Sequence, residues 1–187
     1  MTILIWGMVL FFGVHLLSLT PFRAGIVNSL GANPYKGIYS LVSLAGLGLM
    51  IWGFVRAQSG PDAFPFYELW PEGKPVTLIL VLVAMILLAA ANMKGHIRKI
   101  VKHPMSIGVG LWAIGHLLVN DKLSELLLFG GFLALSVLDI TVSTLRGKVP
   151  TYTPQVKYDV IAVVAGLVVF ALILAFHQRL FGVSPLT

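Results

Sequence analysis

A chain of 187 residues in which 58% are hydrophobic and only 11% are charged cannot coat a water-soluble surface, since soluble domains devote about a quarter of their residues to charge. The mean hydropathy of +0.94 agrees, and together these values exclude a soluble enzyme, a disordered tail and a DNA-binding module. The absence of cysteine excludes disulfides, thiolate ligation of metal or haem, cysteine catalysis and covalent haem attachment.

A membrane-spanning helix needs about 20 mostly apolar residues. Residues 2–20 form the first such run. It lacks a basic leading segment and a small-residue cleavage site and carries His15, so it reads as a retained helix and not a signal peptide. Thr20-Pro21 is a helix start signal, which predicts a short helix over Pro21–Leu30 lying on the membrane surface and ended by Gly31-Ala32-Asn33-Pro34. Residues 37–55 form the second run. The longest loop, Arg56–Lys74, holds Pro61, Pro65 and Pro71 with Phe64, Phe66, Tyr67 and Trp70. Prolines argue against a long helix there, and the aromatics predict an interfacial cover. The third run is 75–93. The fourth, 104–120, contains His116; the fifth, 126–145, contains Asp139; the sixth, 160–178, ends at His177. No fixed-period repeat interrupts the series. The expected fold is all-α, an integral membrane helical bundle of six transmembrane helices forming a single transmembrane domain over residues 1–187.

Basic residues set the expected orientation. The first, third and fifth connections hold Arg23, Lys36, Lys94, Arg98, Lys99, Lys102, Arg146, Lys148 and Lys157, against Arg56, Lys74, Lys122 and Arg179 elsewhere. The positive-inside rule places the richer side in the cytoplasm and both termini outside. The net charge of +6 is then a topology signal and an attraction to anionic lipid. The expected partners are the bilayer and a hydrophobic small molecule, with no nucleic acid.

An ionisable group at depth costs about 2.5–3.5 kcal/mol on insertion scales, so His15, His116, Asp139 and His177 are the informative residues. His103 sits at the cytoplasmic mouth of the fourth run, and His96 reads as a solvated residue of the basic third connection. Without cysteine, two histidines on different helices are the haem b site this chain can build. His103 and His116 lie thirteen residues apart, about 20 Å along one helix, so they cannot share one iron. His15 with His116, His15 with His103 and His116 with His177 all remain open pairings. The bland readings stand beside these. Transmembrane histidines often only hydrogen-bond neighbouring helices. Asp139 can pair with Arg146 seven residues on, the glycines suit close helix packing, and the methionines suit core packing. No Walker loop, dinucleotide fingerprint, HExxH motif or nucleophile elbow is present.

The segment Lys102-His103-Pro104-Met105, with Gly108, Trp112-Ala113, His116-Leu117-Leu118 and Asn120, resembles the NnrU family of bacterial membrane proteins. So do His15 with Thr20-Pro21-Phe22-Arg23, the stretch from Gly37 through Tyr39, Ser40 and Ser43 to Gly46, Leu128-Phe129-Gly130-Gly131-Phe132, and Asp159 with His177 and Leu180–Val183. The resemblance covers nearly the whole chain. It implies a multi-pass protein of the bacterial cytoplasmic membrane, associated with denitrification and with nitrite and nitric oxide reductase function. The zeta-carotene isomerase of plants and cyanobacteria is similar to this family, and it holds haem b between two histidines while isomerising a cis double bond. By that resemblance His116 and His15 are the metal ligands, His103 is a supporting or alternate ligand, and Trp112 and Asn120 are cofactor-binding residues. Lys102 stands where the family more usually has arginine, and Asn120-Asp121-Lys122 where it has Asn-Gly-Asp. A second resemblance is partial. Lys102-His103-Pro104 with Gly108 is similar to the Arg-His-Pro-x-Tyr-x-Gly motif of isoprenylcysteine-type methyltransferases, which use S-adenosylmethionine, but it lacks the arginine and the tyrosine. A non-enzymatic membrane assembly factor is the third reading.

Overall fold

The computed structural model describes residues 1–58, 65–70, 72–182 and 185. Phe64, Pro61 and Pro71 of the long aromatic loop lie outside these described residues, as does Val183. In hydrocarbon every backbone N–H and C=O needs a partner within the chain, and a helix supplies all of them locally. The regular elements are accordingly helical: α1 (Thr2–Leu19), α2 (Phe22–Leu30), α3 (Ala32–Ala57), α4 (Gly73–Ala90), α5 (His96–Val101), α6 (Pro104–Leu117), α7 (Leu123–Leu145) and α8 (Val156–Phe181). Among the described residues the β-structure is one isolated bridge between Pro65 and Lys122. Helices α1, α3, α4, α7 and α8 are long and apolar enough to cross a membrane. The remaining apolar run forms α6, whose 14 residues make about 21 Å at 1.5 Å per residue.

The sequence signals translate with small shifts. Thr20 does not cap α2; its hydroxyl bonds the Leu17 carbonyl at 2.7 Å and closes α1, leaving Pro21 at the N-cap of α2. Asn33 and Pro34 do not stop a helix but occupy the first turn of α3, where proline loses no hydrogen bond. The break between α2 and α3 is Gly31 alone, at φ +88°. Helix α6 ends at Leu117, before the expected residue 120, because Asn120 turns its amide back onto the His116 carbonyl at 2.7 Å.

Two compact units emerge, Met1–Phe66 with Lys122–Gly131, and Tyr67–Asp121 with Phe132–Thr187. In the first, α1 packs along α3 around Leu4 and Met50, both essentially sealed from the surface. The approach needs Gly53: a Cβ there would stand 2.3 Å from the Leu4 amide nitrogen. Such glycine contacts replace the hydrophobic effect, which does not drive helices together in lipid. Helix α2 buries no residue and lies across α1 and α3. A polar knot closes the start of α7. The Lys122 amide donates to Glu125 Oε2 at 2.9 Å, in the manner of a capping box. Gln58 Nε2 donates to Glu125 Oε1 at 3.0 Å, and Lys122 Nζ donates to Gln58 Oε1 at 2.7 Å.

In the second unit α4 is central, with α6 and α8 packed on it and Ala84, Ala113 and Ala162 fully buried. Thr77 Oγ1 donates to the Gly115 carbonyl at 2.7 Å, tying α4 to α6. A Cβ at Gly166 would lie 2.6 Å from Ile86 Cα, so α8 meets the α4 backbone there.

Candidate functional site

On α1, His15 Nδ1 lies 2.7 Å from the carbonyl oxygen of Phe11, one turn earlier. The ring stacks on the Phe11 ring at 4.1 Å and 25° and meets Tyr39 at 5.2 Å. A carbonyl oxygen only accepts, so Nδ1 carries the proton and the lone pair belongs to Nε2. On α6 the arrangement recurs. His116 Nδ1 lies 2.8 Å from the Trp112 carbonyl, and its ring tilts against the Trp112 indole at 4.8 Å. Both histidines are half-buried. Both are held by an aromatic residue four positions earlier, a spacing that helical geometry turns into contact. Metal-bound histidines are held in this way, one ring nitrogen donating to a carbonyl while the other faces the metal. The aromatic-x-x-x-His pattern was readable in the sequence twice, yet depth and charge alone had drawn attention only to the histidines.

His15 belongs to the first unit. His116 and His177 belong to the second, where His177 on α8 lies within electrostatic range of His116. The His177 ring tilts against Phe181 at 4.9 Å. Trp112 supplies the carbonyl that fixes His116 and sets its own ring edge-on to Phe132 at 5.4 Å. Asn120 holds the other side of the same turn through the His116 carbonyl. Sequence reasoning missed Tyr67, whose hydroxyl donates to the Leu117 carbonyl at 2.5 Å and to that of Asn120. The aromatic loop therefore satisfies the orphan carbonyls at the end of the helix that carries His116.

At the opposite end of α6, Lys102-His103-Pro104 forms a tight turn. Lys102 has φ +64°, and the His103 amide bonds the Val101 carbonyl at 2.8 Å. This is a γ-turn of the strained hand. His103 is the N-cap of α6, and its Nε2 lies 3.1 Å from Thr144 Oγ1. Asp139 on α7 takes the hydroxyls of Ser106 and, at 3.5 Å, Ser143.

His96 is not merely solvated. Asp159 accepts from the His96 amide at 2.9 Å, from the Ile97 amide at 2.9 Å and from His96 Nδ1 at 2.8 Å. Asp159 precedes the apolar run of α8, which begins at Val160. Partial burial works to raise its pKa, but the Ile97 and His96 amides and the His96 ring outweigh it and hold the carboxyl below the usual 3.8. Tyr152 donates to the Gly95 carbonyl at 2.8 Å, and the Arg98 guanidinium stands 5.6 Å from the Tyr152 ring centroid. These contacts fasten the basic helix α5 to α8.

Among the described residues no three histidine, aspartate or glutamate side chains gather as a metal site. Haem iron makes a smaller demand, imidazole nitrogens with lone pairs, and the donor chemistry of His15 and of His116, each taken by itself, fits it. The family model NnrU, described as NnrU protein, matches residues 3–185. No curated protein and no solved structure matches the chain.

Proposed function

The chain belongs to the NnrU family, and we propose that it binds haem b within the membrane and serves denitrification, in support of nitrite and nitric oxide reductase function. The observation that carries the proposal is the repeated aromatic-x-x-x-His arrangement, in which Phe11 and Trp112 fix the rings of His15 and His116 with Nε2 as the lone-pair nitrogen. In this reading His116 would hold the haem iron through Nε2, and the resemblance implies His15 as its partner. Trp112 and Asn120 hold the His116 turn from both sides, so the ligand keeps its tautomer and its aim without the entropy of a free ring. When bound, the haem supplies one-electron chemistry. The reaction class suggested by the resemblance to zeta-carotene isomerase is cis–trans isomerisation of a lipid-phase polyene. The excess of basic residues in the first, third and fifth connections supports a place in the bacterial cytoplasmic membrane with both termini outside.

His177 gives a second reading of the ligand pair, favoured by its electrostatic proximity to His116. Oxidised and reduced absorption spectra of the purified chain and of His15→Ala, His116→Ala and His177→Ala separate the two. The proposal expects a low-spin b-type spectrum that is lost in His116→Ala and in His15→Ala and kept in His177→Ala. Loss in His177→Ala with retention in His15→Ala transfers the second ligand to His177. A haem spectrum untouched by all three substitutions overturns histidine ligation at these positions.

A further inference from the structure

The first unit contains a cavity that adjoins His15 through Tyr39, which is both in its wall and against the His15 ring. The cavity has a volume of about 90 Å³ and lies where α1, α2 and α3 meet, walled by Val14 and Leu17, by Ile26 and Leu30, and by Tyr35 and Ile38. Small and partly open, it is suited to one end of a larger molecule. Its wall is apolar except for tyrosine. The Tyr35 hydroxyl is buried and has no hydrogen-bond partner, an arrangement that costs free energy unless an acceptor arrives. At the rim, the Arg23 guanidinium stands 5.7 Å from the Tyr35 ring centroid. Lys36 follows Tyr35 on α3 and is exposed. Phe22 opens α2 with 73% of its surface exposed, as a surface helix presents an anchor to the headgroup layer.

We propose that this cavity is a binding site for an anionic glycerophospholipid of the surrounding bilayer. The three chemical elements of such a lipid match three elements of the site. Its phosphate meets Arg23 and Lys36, an ester carbonyl accepts the orphan Tyr35 hydroxyl, and the first methylenes of an acyl chain fill the space between Leu17, Ile26 and Ile38. Zwitterionic lipid offers the same phosphate, ester and chain but adds a choline cation, which Arg23 and Lys36 repel, so the charge preference resides in the net charge that these two residues face. Basic pockets beside membrane helices select anionic headgroups in this way. The site holds α2 against α1 and α3, although α2 buries no residue of its own.

The test is native mass spectrometry of the full chain released from bilayer discs of equimolar phosphatidylglycerol and phosphatidylcholine, counting the lipids retained. The expected result is preferential retention of phosphatidylglycerol. Each basic residue near an anionic surface contributes about a fivefold preference, so Arg23→Gln lowers the ratio about fivefold and adding Lys36→Gln lowers it about fivefold again. Tyr35→Phe lowers retention of both lipids and leaves their ratio unchanged, because the ester is common to both. Ile26→Trp fills the cavity and lowers retention of both. Lys99→Gln, on exposed α5, lowers the ratio less than Arg23→Gln does. Circular dichroism of each variant checks that it is folded. Equal retention of the two lipids, a ratio that survives Arg23→Gln with Lys36→Gln, or a fall of the same size in Lys99→Gln overturns the site.

Discussion

The α1–α3 interface allows a prediction worked from distances. A Cβ at Gly53 would lie 2.3 Å from the Leu4 amide nitrogen and 2.6 Å from Leu4 Cα. Both obstacles are backbone, so no side chain can rotate out of the way. The shortfall from the 3.4 Å at which ordinary contact begins is about 1.1 Å, and the helices must part by about that much. A gap of ~0.5–1 Å already forfeits a quarter to a half of a contact's attraction. The loss falls on the most deeply packed side chains of this unit, Leu4 and Met50. Overpacking of this kind costs about 1–3 kcal/mol. At ~2–4 °C per kcal/mol for a chain of this size, Gly53→Ala is expected to lower the thermal midpoint in mild detergent by about 2–12 °C. Gly48 lies on the same helix with nothing within 4 Å of its Cβ position, so Gly48→Ala should be neutral or slightly stabilising through helix propensity. If the two variants unfold at the same temperature, the argument from close approach fails.

Three further outcomes follow from local contacts. Lys102→Gly should raise stability by about 1 kcal/mol, since the strained γ-turn costs ~1–3 kcal/mol and glycine returns only part of that as unfolded-state entropy; an unchanged or lower thermal midpoint refutes the strain. Asp159→Asn should speed amide exchange at His96 and Ile97 and tryptic cleavage after Arg98 and Lys99. Because those contacts hold the Asp159 carboxyl below its usual 3.8, its stabilisation is present above that pH and is lost as pH falls through the lowered value, and the same exchange measurement at falling pH checks the sign. Tyr67→Phe removes the one hydroxyl proton that the Leu117 and Asn120 carbonyls share at the end of α6 and should lower stability by about 1 kcal/mol, read as a lower thermal midpoint; no change means the aromatic loop does not anchor that end.

Helix type was legible because the bilayer makes composition a direct reporter of structure: a run of apolar residues with no charge can only span or be buried. Boundaries were less legible where one residue serves either of two helices. Thr20 reads equally as an N-cap or as a terminal hydroxyl, and the structure gives it to α1. Asn33-Pro34 reads as a stop, yet proline suits a first turn as well as a break. At the site, the histidines stood out by their cost at depth, but their partners did not. Phe11 and Trp112 contribute backbone carbonyls, which every residue possesses, so only their shared spacing of four before a histidine marks them. The Asp159 clamp joins positions 63 apart, and the Asp139–Ser106 bond joins positions 33 apart. Composition and periodicity are blind to both pairings.

The haem content of the full chain, purified in mild detergent from haem-replete cells, tests the central claim most directly. The account predicts about one haem b per chain, falling to background in His116→Ala while the helical circular dichroism is retained. A folded, helical protein that carries no haem would contradict it and return the histidines to helix packing.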